Sequence, residues 1–366
     1  MKPIRIFDSE LNFVAEIKNY QYCLFNRNWY KVGEFELRVS DEVTGVEYLK
    51  RNNIIMLGNE RNKAGIINYR YITIDETDDN EIWIIKGVTL GGIMSQRVII
   101  PPTGSSHDEI TDNVESVMKH YVENNVVNPV DEDRKIDNVV LEINENKGEE
   151  IEWRSRYKNL AEELESISKE SGIGWDIHLG NGELEFKVLE GKDLRVDNKE
   201  NNSPVIFSPE LRTIATQGYI EDGLGMKNFA YVGGQGEGDN RIIEEVGDDT
   251  GIDRKEIFID ARDIDDEALL ERRGKDRLRE RELNITLEID VLQKSQFKFE
   301  EDYNLGDLVT IKNKKWNIEE AVRVVEVREI YSENGYNIEV KVGKNYPDFL
   351  DVLKRDIDEK DIVRFQ

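Results

Sequence analysis

Residues 33–39, with the sequence GEFELRV, alternate apolar and charged side chains. In a strand, Phe35, Leu37 and Val39 would point to one face and the charged residues between them to the other. The period of two indicates a half-buried β-strand, because a helix repeats its apolar positions every three or four residues. This stretch therefore predicts that the first part of the chain is built from strands.

Six further apolar segments surround this strand, with turn residues between them. They cover residues 4–7, 13–17, 20–26, 53–57, 64–75 and 81–90. A second set begins after residue 203 and covers residues 205–207, 213–219, 228–232, 241–246, 283–292, 308–311, 317–327 and 336–342. Many short strands separated by turns are typical of antiparallel barrels. We therefore expect a mainly β protein with two antiparallel β-barrel domains.

The segment between the two sets has a different pattern. After Pro101-Pro102, Ser106 is a candidate N-cap for a helix that runs to about Asn124. A second helix is expected over 157–171, with Gly172 ending it. Residues 174–179 and 183–189 then predict a hairpin. These features predict an α+β middle domain, and the expected division is 1–103, 104–203, 204–345 and a helical tail, 346–366.

A third helix is expected over residues 265–281. It is heavily charged, with Leu269, Leu270 and Leu278 on its apolar side. The run of charged residues predicts a solvent-exposed face that carries ion pairs between side chains four positions apart, such as Glu271 with Lys275.

Composition excludes several classes of protein. The 366 residues include 77 acidic and 50 basic side chains, a net charge of −27. Nucleic-acid binding through phosphate neutralisation needs clustered Lys and Arg, so specific nucleic-acid binding is not expected. An anionic membrane surface would repel the chain. The sequence contains no run of about 18 apolar residues, so no membrane anchor is predicted. Cys23 is the single cysteine, and the N-terminus has no secretory pattern, so assembly in a reducing cytoplasm is expected.

Residues 226–241, MKNFAYVGGQGEGDNR, hold the densest glycines of the chain. The seven residues that form the candidate site are Gly233, Gly234, Gln235, Gly236, Glu237, Gly238 and Asp239. A phosphate-binding loop would need a following lysine or a glycine pattern that opens a helix, and here carboxylates and a strand follow. The stretch instead predicts a long hairpin connection, either at the tip of a barrel or at a subunit contact.

No catalytic, cofactor-binding or metal-binding residues are assigned. The three histidines, His107, His120 and His178, are far apart in sequence, and no nucleophile motif accompanies them. Acidic turns at 131–133 and 248–253 do not match a calcium-binding loop, and solvated turns are the favoured interpretation.

Several segments together resemble the tail-hub, or baseplate hub, proteins of long-tailed phages and phage tail-like bacteriocins. The resemblance covers about residues 20–345. It rests on RNWYKVGEFELRV (27–39), GIGWDIHLGNGELEF (172–186), PVIFSPE (204–210), KNFAYVGGQGEGDNR (227–241), KEIFIDAR (255–262) and YNLGDLVT (303–310).

The resemblance implies a non-enzymatic virion protein with two barrels similar to tail-tube subunits. Three copies would form a pseudo-sixfold ring that joins the tube to the tip or spike at the distal end of the tail. The implied partners are the tail tube protein, a spike or tip protein, neighbouring baseplate proteins and the tape measure protein. DNA would pass through the ring. Two alternatives remain open, a tail-associated peptidoglycan hydrolase and a carbohydrate-binding adhesin.

Overall fold

The computed structural model describes residues 1–74, 81–262, 264–279, 281–291 and 295–343. The chain forms two compact units. The first contains residues 1–217 and 288–342, and the second contains residues 218–287. The predicted helical tail, 346–366, lies outside the described residues. The predicted division at residues 103, 203 and 345 stays a prediction.

The described residues are mainly strand. In chain order the strands are β1 (Ile4–Phe7), β2 (Phe13–Ile17), β3 (Tyr22–Asn28), β4 (Glu34–Ser40), β5 (Ile54–Leu57), β6 (Ala64–Ile74), β7 (Glu81–Thr89), β8 (Asp108–Asn113), β9 (Val139–Leu141), β10 (Glu150–Ser155), β11 (Gly174–Leu179), β12 (Leu184–Leu189), β13 (Ile206–Phe207), β14 (Ile214–Asp222), β15 (Phe229–Gly233), β16 (Ile243–Val246), β17 (Glu256–Asp260), β18 (Asn284–Val291), β19 (Leu308–Asn313), β20 (Ile318–Ser332) and β21 (Gly335–Gly343). The α-helices are α1 (Val114–Val122), α2 (Leu160–Ser171) and α3 (Glu267–Arg279).

One large mixed sheet dominates the fold. Its strands follow the order β14-β18-β21-β20-β3-β4-β7-β6-β5-β1-β2, and β19 and β13 extend it from β20. The prediction of a mainly β protein is confirmed. The alternation in residues 33–39 is confirmed as well, because Phe35, Leu37 and Val39 are buried in β4. Phe35 stacks on Phe25 of β3, with ring centroids 6.1 Å apart.

The described strands form no closed barrel, and this corrects the prediction of two. The reason lies in β20, which is 15 residues long. Its first part pairs with β19, from Ile318 to Arg323, and its second part pairs with β3, from Glu326 to Ser332. One strand therefore belongs to both predicted sets and joins them in a single open sheet. The apolar pattern predicts strands but not their partners.

The middle segment forms two small sheets with α1 and α2. β11 and β12 are an antiparallel hairpin and β9 adds in parallel, so the predicted hairpin is confirmed. The prediction that the first helix begins after Ser106 is wrong, because residues 108–113 form β8 and pair with β10. The side chain of Asn113 accepts a hydrogen bond from the amide of Ser116 at 3.0 Å, so α1 begins only at residue 114.

The second helix of the middle segment, α2, starts three residues later than predicted. The side chain of Asn159 caps its first turn by accepting hydrogen bonds from the amides of Ala161 and Glu162. It ends at Gly172 as predicted, with a left-handed φ of 75°.

The second unit is a three-stranded sheet with a helix on one face. β15 is the central strand, antiparallel to β16 and parallel to β17. Leu270 of α3 is buried against the sheet, whereas Leu269 of the same predicted apolar side is 38% exposed. A Cβ on Gly274 would lie 2.6 Å from the nearest methyl of Val246, so this glycine lets the helix approach the sheet closely. The predicted pair of Glu271 and Lys275 is confirmed at 2.7 Å.

No helix in the described ranges is long and apolar enough to cross a membrane.

Candidate functional site: the glycine-rich loop

The glycine-rich segment is the hairpin connection between β15 and β16, as predicted. Its two ends are held close by backbone hydrogen bonds, from the amide of Gly234 to Ile242 at 2.8 Å and from the amide of Ile242 to Gln235 at 3.1 Å. Gly233 itself is the last residue of β15 and pairs with Ile243. The seven candidate residues therefore form the last residue of β15 and the connection that follows it in the second unit.

Two of the candidate residues are internal to the fold. Gly233 and Gly234 are buried. A Cβ on Gly234 would lie 2.7 Å from Leu270 of α3 and 2.9 Å from the carbonyl oxygen of Ile264, distances that packed atoms do not reach. A Cβ on Gly233 would meet the guanidinium of Arg241 and the ring of Phe258. These two glycines are required by close packing within the unit itself.

The other five candidate residues form an exposed tip. Gln235, Gly236, Glu237, Gly238 and Asp239 are all exposed, as is Asn240 after them. Gly236 has a φ of 108° and Gly238 a φ of 55°, a region that favours glycine. The tip carries two carboxylates and no cation, so it can offer an acidic, backbone-rich contact to a partner surface.

Arg241 fixes the base of the loop. Its guanidinium donates hydrogen bonds to the carbonyl oxygens of Gly233 at 2.8 Å and Gly234 at 3.0 Å. It also forms an ion pair with Asp260 and lies 5.3 Å from the ring centroid of Phe258. Because this cation is already paired, it does not compensate the carboxylates at the tip.

The remaining candidate residues are the acidic turns and the histidines. Within the described ranges, no group of three or more His, Cys, Asp and Glu side chains could hold a metal ion. In the acidic turn at 131–133, the side chain of Asp131 accepts a hydrogen bond from the amide of Asp133, as in an ordinary turn. Of the histidines, His120 pairs with the buried Asp108 at 2.7 Å and His178 lies 3.6 Å from Asp176.

Sequence reasoning missed a buried charge network in the first unit. Lys63, the residue before β6, has a side chain with no exposed surface. Its ammonium group forms ion pairs with Glu329 at 2.8 Å, with Glu300 at 2.9 Å and with Glu60. Arg27 pairs with the same Glu329 at 3.4 Å and Glu300 at 3.1 Å. No spacing in the sequence predicts these contacts, because the members are up to 302 residues apart.

The network controls the ionisation of its members. Burial favours a higher pKa for Glu329, but the charges of Arg27 and Lys63 outweigh it and hold the pKa below the ordinary value. Tyr331 and Tyr336 both donate to the same oxygen of Glu329, at 3.0 and 3.2 Å. Burial, followed by the charge of Glu329, raises the pKa of both phenols. The charged groups lie within ion-pair distance of one another, although among the described residues Nε of Arg27 and Oε2 of Glu60 are buried without a hydrogen-bond partner.

Comparison with known families gives a match over almost the whole sequence. The sequence model for "Siphovirus ReqiPepy6 Gp37-like protein" matches residues 3–344. No curated protein matches the sequence.

Three solved structures share the fold. The 43 kDa tail protein of prophage MuSo2 from Shewanella oneidensis matches with a TM-score of 0.59 and 12% identity, covering 93% of this chain and 98% of its own. A tail protein from Neisseria meningitidis matches with a TM-score of 0.56 and 14% identity, covering 93% and 96%. Prophage tail protein gp18 from Listeria monocytogenes matches with a TM-score of 0.52 and 12% identity, covering 97% and 98%. At these identities the similarity establishes a common fold.

Proposed function

The chain belongs to the phage tail protein family described as Siphovirus ReqiPepy6 Gp37-like, and from this membership we propose that it is the hub at the distal end of the tail. Three copies form a ring that joins the tail tube to the tip or spike. The partners are the tail tube protein above the ring and the tip, spike and neighbouring baseplate proteins below it. The tape measure protein is a further proposed partner.

The observation that carries the proposal is the extent of the shared fold. The three tail proteins align with at least 93% of this chain and over at least 96% of their own lengths. This shared tail-protein architecture supports a structural role without catalysis as part of the proposal.

Labelled tail particles test the position in the particle. Antibody to this protein, carried on gold, is expected to mark intact tails at one end, next to the tip complex. Label along the tube, or particles without label, would contradict the proposal. Quantitative mass spectrometry of the same particles is expected to give three copies per tail.

A catalytic alternative is tested separately. The purified chain is expected to leave isolated cell walls intact and to show no retention on purified wall sugars. Wall clearing that is lost on changing one carboxylate to its amide would favour the hydrolase, and sugar retention would favour the adhesin.

We further propose that the exposed tip of the glycine-rich loop, residues 235–239, is a subunit contact. Reversing its charge with Glu237→Lys and Asp239→Lys is expected to reduce the number of assembled tails while the chain still folds. The matched control, Asp248→Lys with Asp253→Lys, makes the same charge change at exposed positions of the same unit and is expected to assemble normally. Equal assembly of both variants would refute the loop's role.

A further inference from the structure

A short turn of residues 298–302, the strap, lies against the buried charge network of the first unit. Glu300 at its centre pairs with Arg27 at 3.1 Å and with Lys63 at 2.9 Å. The ring of Phe299 lies over the same two cations, with its centroid 5.5 Å from the guanidinium carbon of Arg27 and 6.0 Å from Nζ of Lys63. The side chain of Lys63 has no exposed surface, and the strap is part of its cover.

The backbone hydrogen bonds of the strap stay within its own segment. The amide of Glu300 donates to the carbonyl oxygen of Tyr303 at 2.8 Å, and the amide of Asp302 donates to that of Lys298 at 2.8 Å. Among the described residues, no backbone hydrogen bond joins residues 298–302 to the large sheet. Between its two ends, the strap is therefore held in place by side chains.

Both ends of the strap are anchored in the core, whereas its centre is strained. Tyr303 is 1% exposed, and its ring lies 5.1 Å from that of Phe207. Before the strap, the ring of Phe297 lies 6.3 Å from the same ring. Glu300 has a left-handed φ of 68°, which is unfavourable for a residue other than glycine. Fixed ends, a strained centre and few contacts favour local opening of such a segment.

The rest of the network stays paired when the strap lifts. Glu329 keeps Lys63 at 2.8 Å and Arg27 at 3.4 Å, and Lys63 also keeps Glu60. The side chain of Glu300 is 37% exposed, against 28% for Glu60 and 2% for Glu329, so Glu300 returns to water most readily. Opening the strap therefore avoids an unpaired charge in the interior, which is the main cost of breaking a buried ion pair.

We propose that the strap opens as a unit and uncovers Lys63 and Arg27, while the sheet beneath it stays folded. Closed, the strap presents the carboxylate of Glu300 at the surface. Open, it gives access to two cations that the closed chain hides. The opening does not depend on where the protein lies in the particle, so it can fail without affecting the proposed function.

Chemical modification of the wild-type chain tests whether the strap opens locally. Lys63 is modified with an amine-reactive ester, and Cys23, which is buried in the same unit, is modified with a thiol reagent. Each rate is divided by the rate of the same group in the urea-unfolded chain. Lys63 is expected to react at least about tenfold faster than Cys23 on this scale, because local opening costs less free energy than unfolding of the sheet. Equal relative rates would show that Lys63 becomes accessible only by unfolding and would overturn the proposal.

Trypsin cleavage after Lys298 measures the opening in variants. The side chain of Lys298 is 65% exposed, but cleavage requires the surrounding segment to leave its folded position. Each rate is divided by that of a synthetic peptide of the same sequence, so that effects of the substitution on the protease itself cancel. Glu300→Gln is expected to raise the relative rate about fivefold, a factor typical of a partly exposed ion pair.

The matched control is Glu301→Gln, which removes the same charge from the neighbouring residue. Glu301 is 68% exposed and pairs with Lys298 within the strap at 3.1 Å, so this variant is expected to keep the wild-type rate. Equal relative rates for the two variants would mean that Glu300 does not hold the strap closed, contrary to the proposal. Cys23 is expected to stay as protected in Glu300→Gln as in the wild type. Faster reaction of this thiol would show that the sheet opens together with the strap, and would also count against local opening.

Discussion

At the scale of single residues, the strongest constraint is the burial of Lys63. Taking an ammonium group and several carboxylates out of water is costly, and their mutual attraction offsets this cost only when all of them are present. Glu329, which is also buried, depends on Lys63 and Arg27 for its charge. Removing one partner therefore leaves an uncompensated charge in the interior.

Lys63→Met is expected to lower the free energy of unfolding by about 3–5 kcal/mol, because it leaves Glu329 with reduced compensation. Urea unfolding followed by tryptophan fluorescence measures the effect, since all five tryptophans belong to residues of the first unit. The control is Lys86→Met, which removes a half-exposed lysine paired with Glu36 at 2.9 Å and is expected to cost about 1 kcal/mol or less. Equal losses in the two variants would contradict the network's role.

The same residues predict a loss of stability in acid. The pKa values of Glu329, Glu60 and Glu115 lie below the ordinary 4.5 in the folded chain, Glu329 despite its burial, because lysines and other donors hold them ionised. A lowered folded pKa gives stability that is present above pH 4.5 and is lost as the pH falls through the folded value. Burial raises the pKa of Asp307, so this group acts in the opposite sense.

We therefore expect the free energy of unfolding to fall steadily when the pH drops below about 4.5. Glu329→Gln is expected to be less stable than the wild type at pH 7 and to lose less on acidification, because one linked proton is removed. Glu237→Gln, at the exposed tip of the glycine-rich loop, serves as the control and is expected to keep the wild-type dependence. If the free energy of unfolding of Glu329→Gln falls with pH as steeply as that of the wild type, this carboxylate is not a source of the acid sensitivity.

At the scale of elements, the glycine-rich loop combines two different uses of glycine. Gly234→Ala is expected to destabilise the second unit by about 1–3 kcal/mol, because the added Cβ would overlap Leu270 of α3. Gly225→Ala, in the same unit, meets nothing within 4 Å and is expected to be neutral or slightly stabilising. Residues 218–287 contain no tryptophan, so hydrogen exchange of β15 and α3 amides is the suitable measurement. Unchanged exchange in Gly234→Ala would show that α3 can move away at little cost.

The sequence predicts strands well because alternation is a local signal. All seven strands expected in the first ninety residues occur, with ends shifted by at most two residues. The start of α1 was predicted wrongly because Ser106 and Asp108 look like a cap, whereas residues 108–113 gain more from pairing with β10. β17 was not predicted as a strand, although Ile257 and Ile259 alternate with polar or exposed residues.

The long-range arrangement could not be predicted from local pattern. Which strand pairs with the second part of β20 depends on contacts between residues about 300 positions apart, such as Glu326 with Asn28. The loop can be predicted as a hairpin connection because closely spaced glycines indicate the backbone conformations of a turn. Its division into a packed base and an exposed tip depends on where α3 lies, and no feature of residues 233–239 encodes that position.

At the scale of the whole molecule, the dominant property is the net charge of −27. In the proposed ring, DNA would have to pass without binding to the wall, because attraction to the phosphates would slow transit. The acidic excess supplies this property without any special site, since like charges repel at distances up to about the Debye length of 8 Å in physiological salt. We therefore expect the wall of the channel to be negative or, at most, neutral in the assembled ring.

The corresponding prediction is that the assembled wild-type ring does not retard duplex DNA in a gel at 50 mM salt. Nonspecific binding typically has a dissociation constant of about 10⁻⁴–10⁻⁶ M in physiological salt and tightens as salt falls, so low salt is the most sensitive condition. The matched positive control is a basic DNA-binding peptide in the same buffer. Retardation by the ring that disappears as salt rises would reveal clustered cations facing DNA. The net charge would then be a property of the outer surface, and the channel would have to pass DNA by another means.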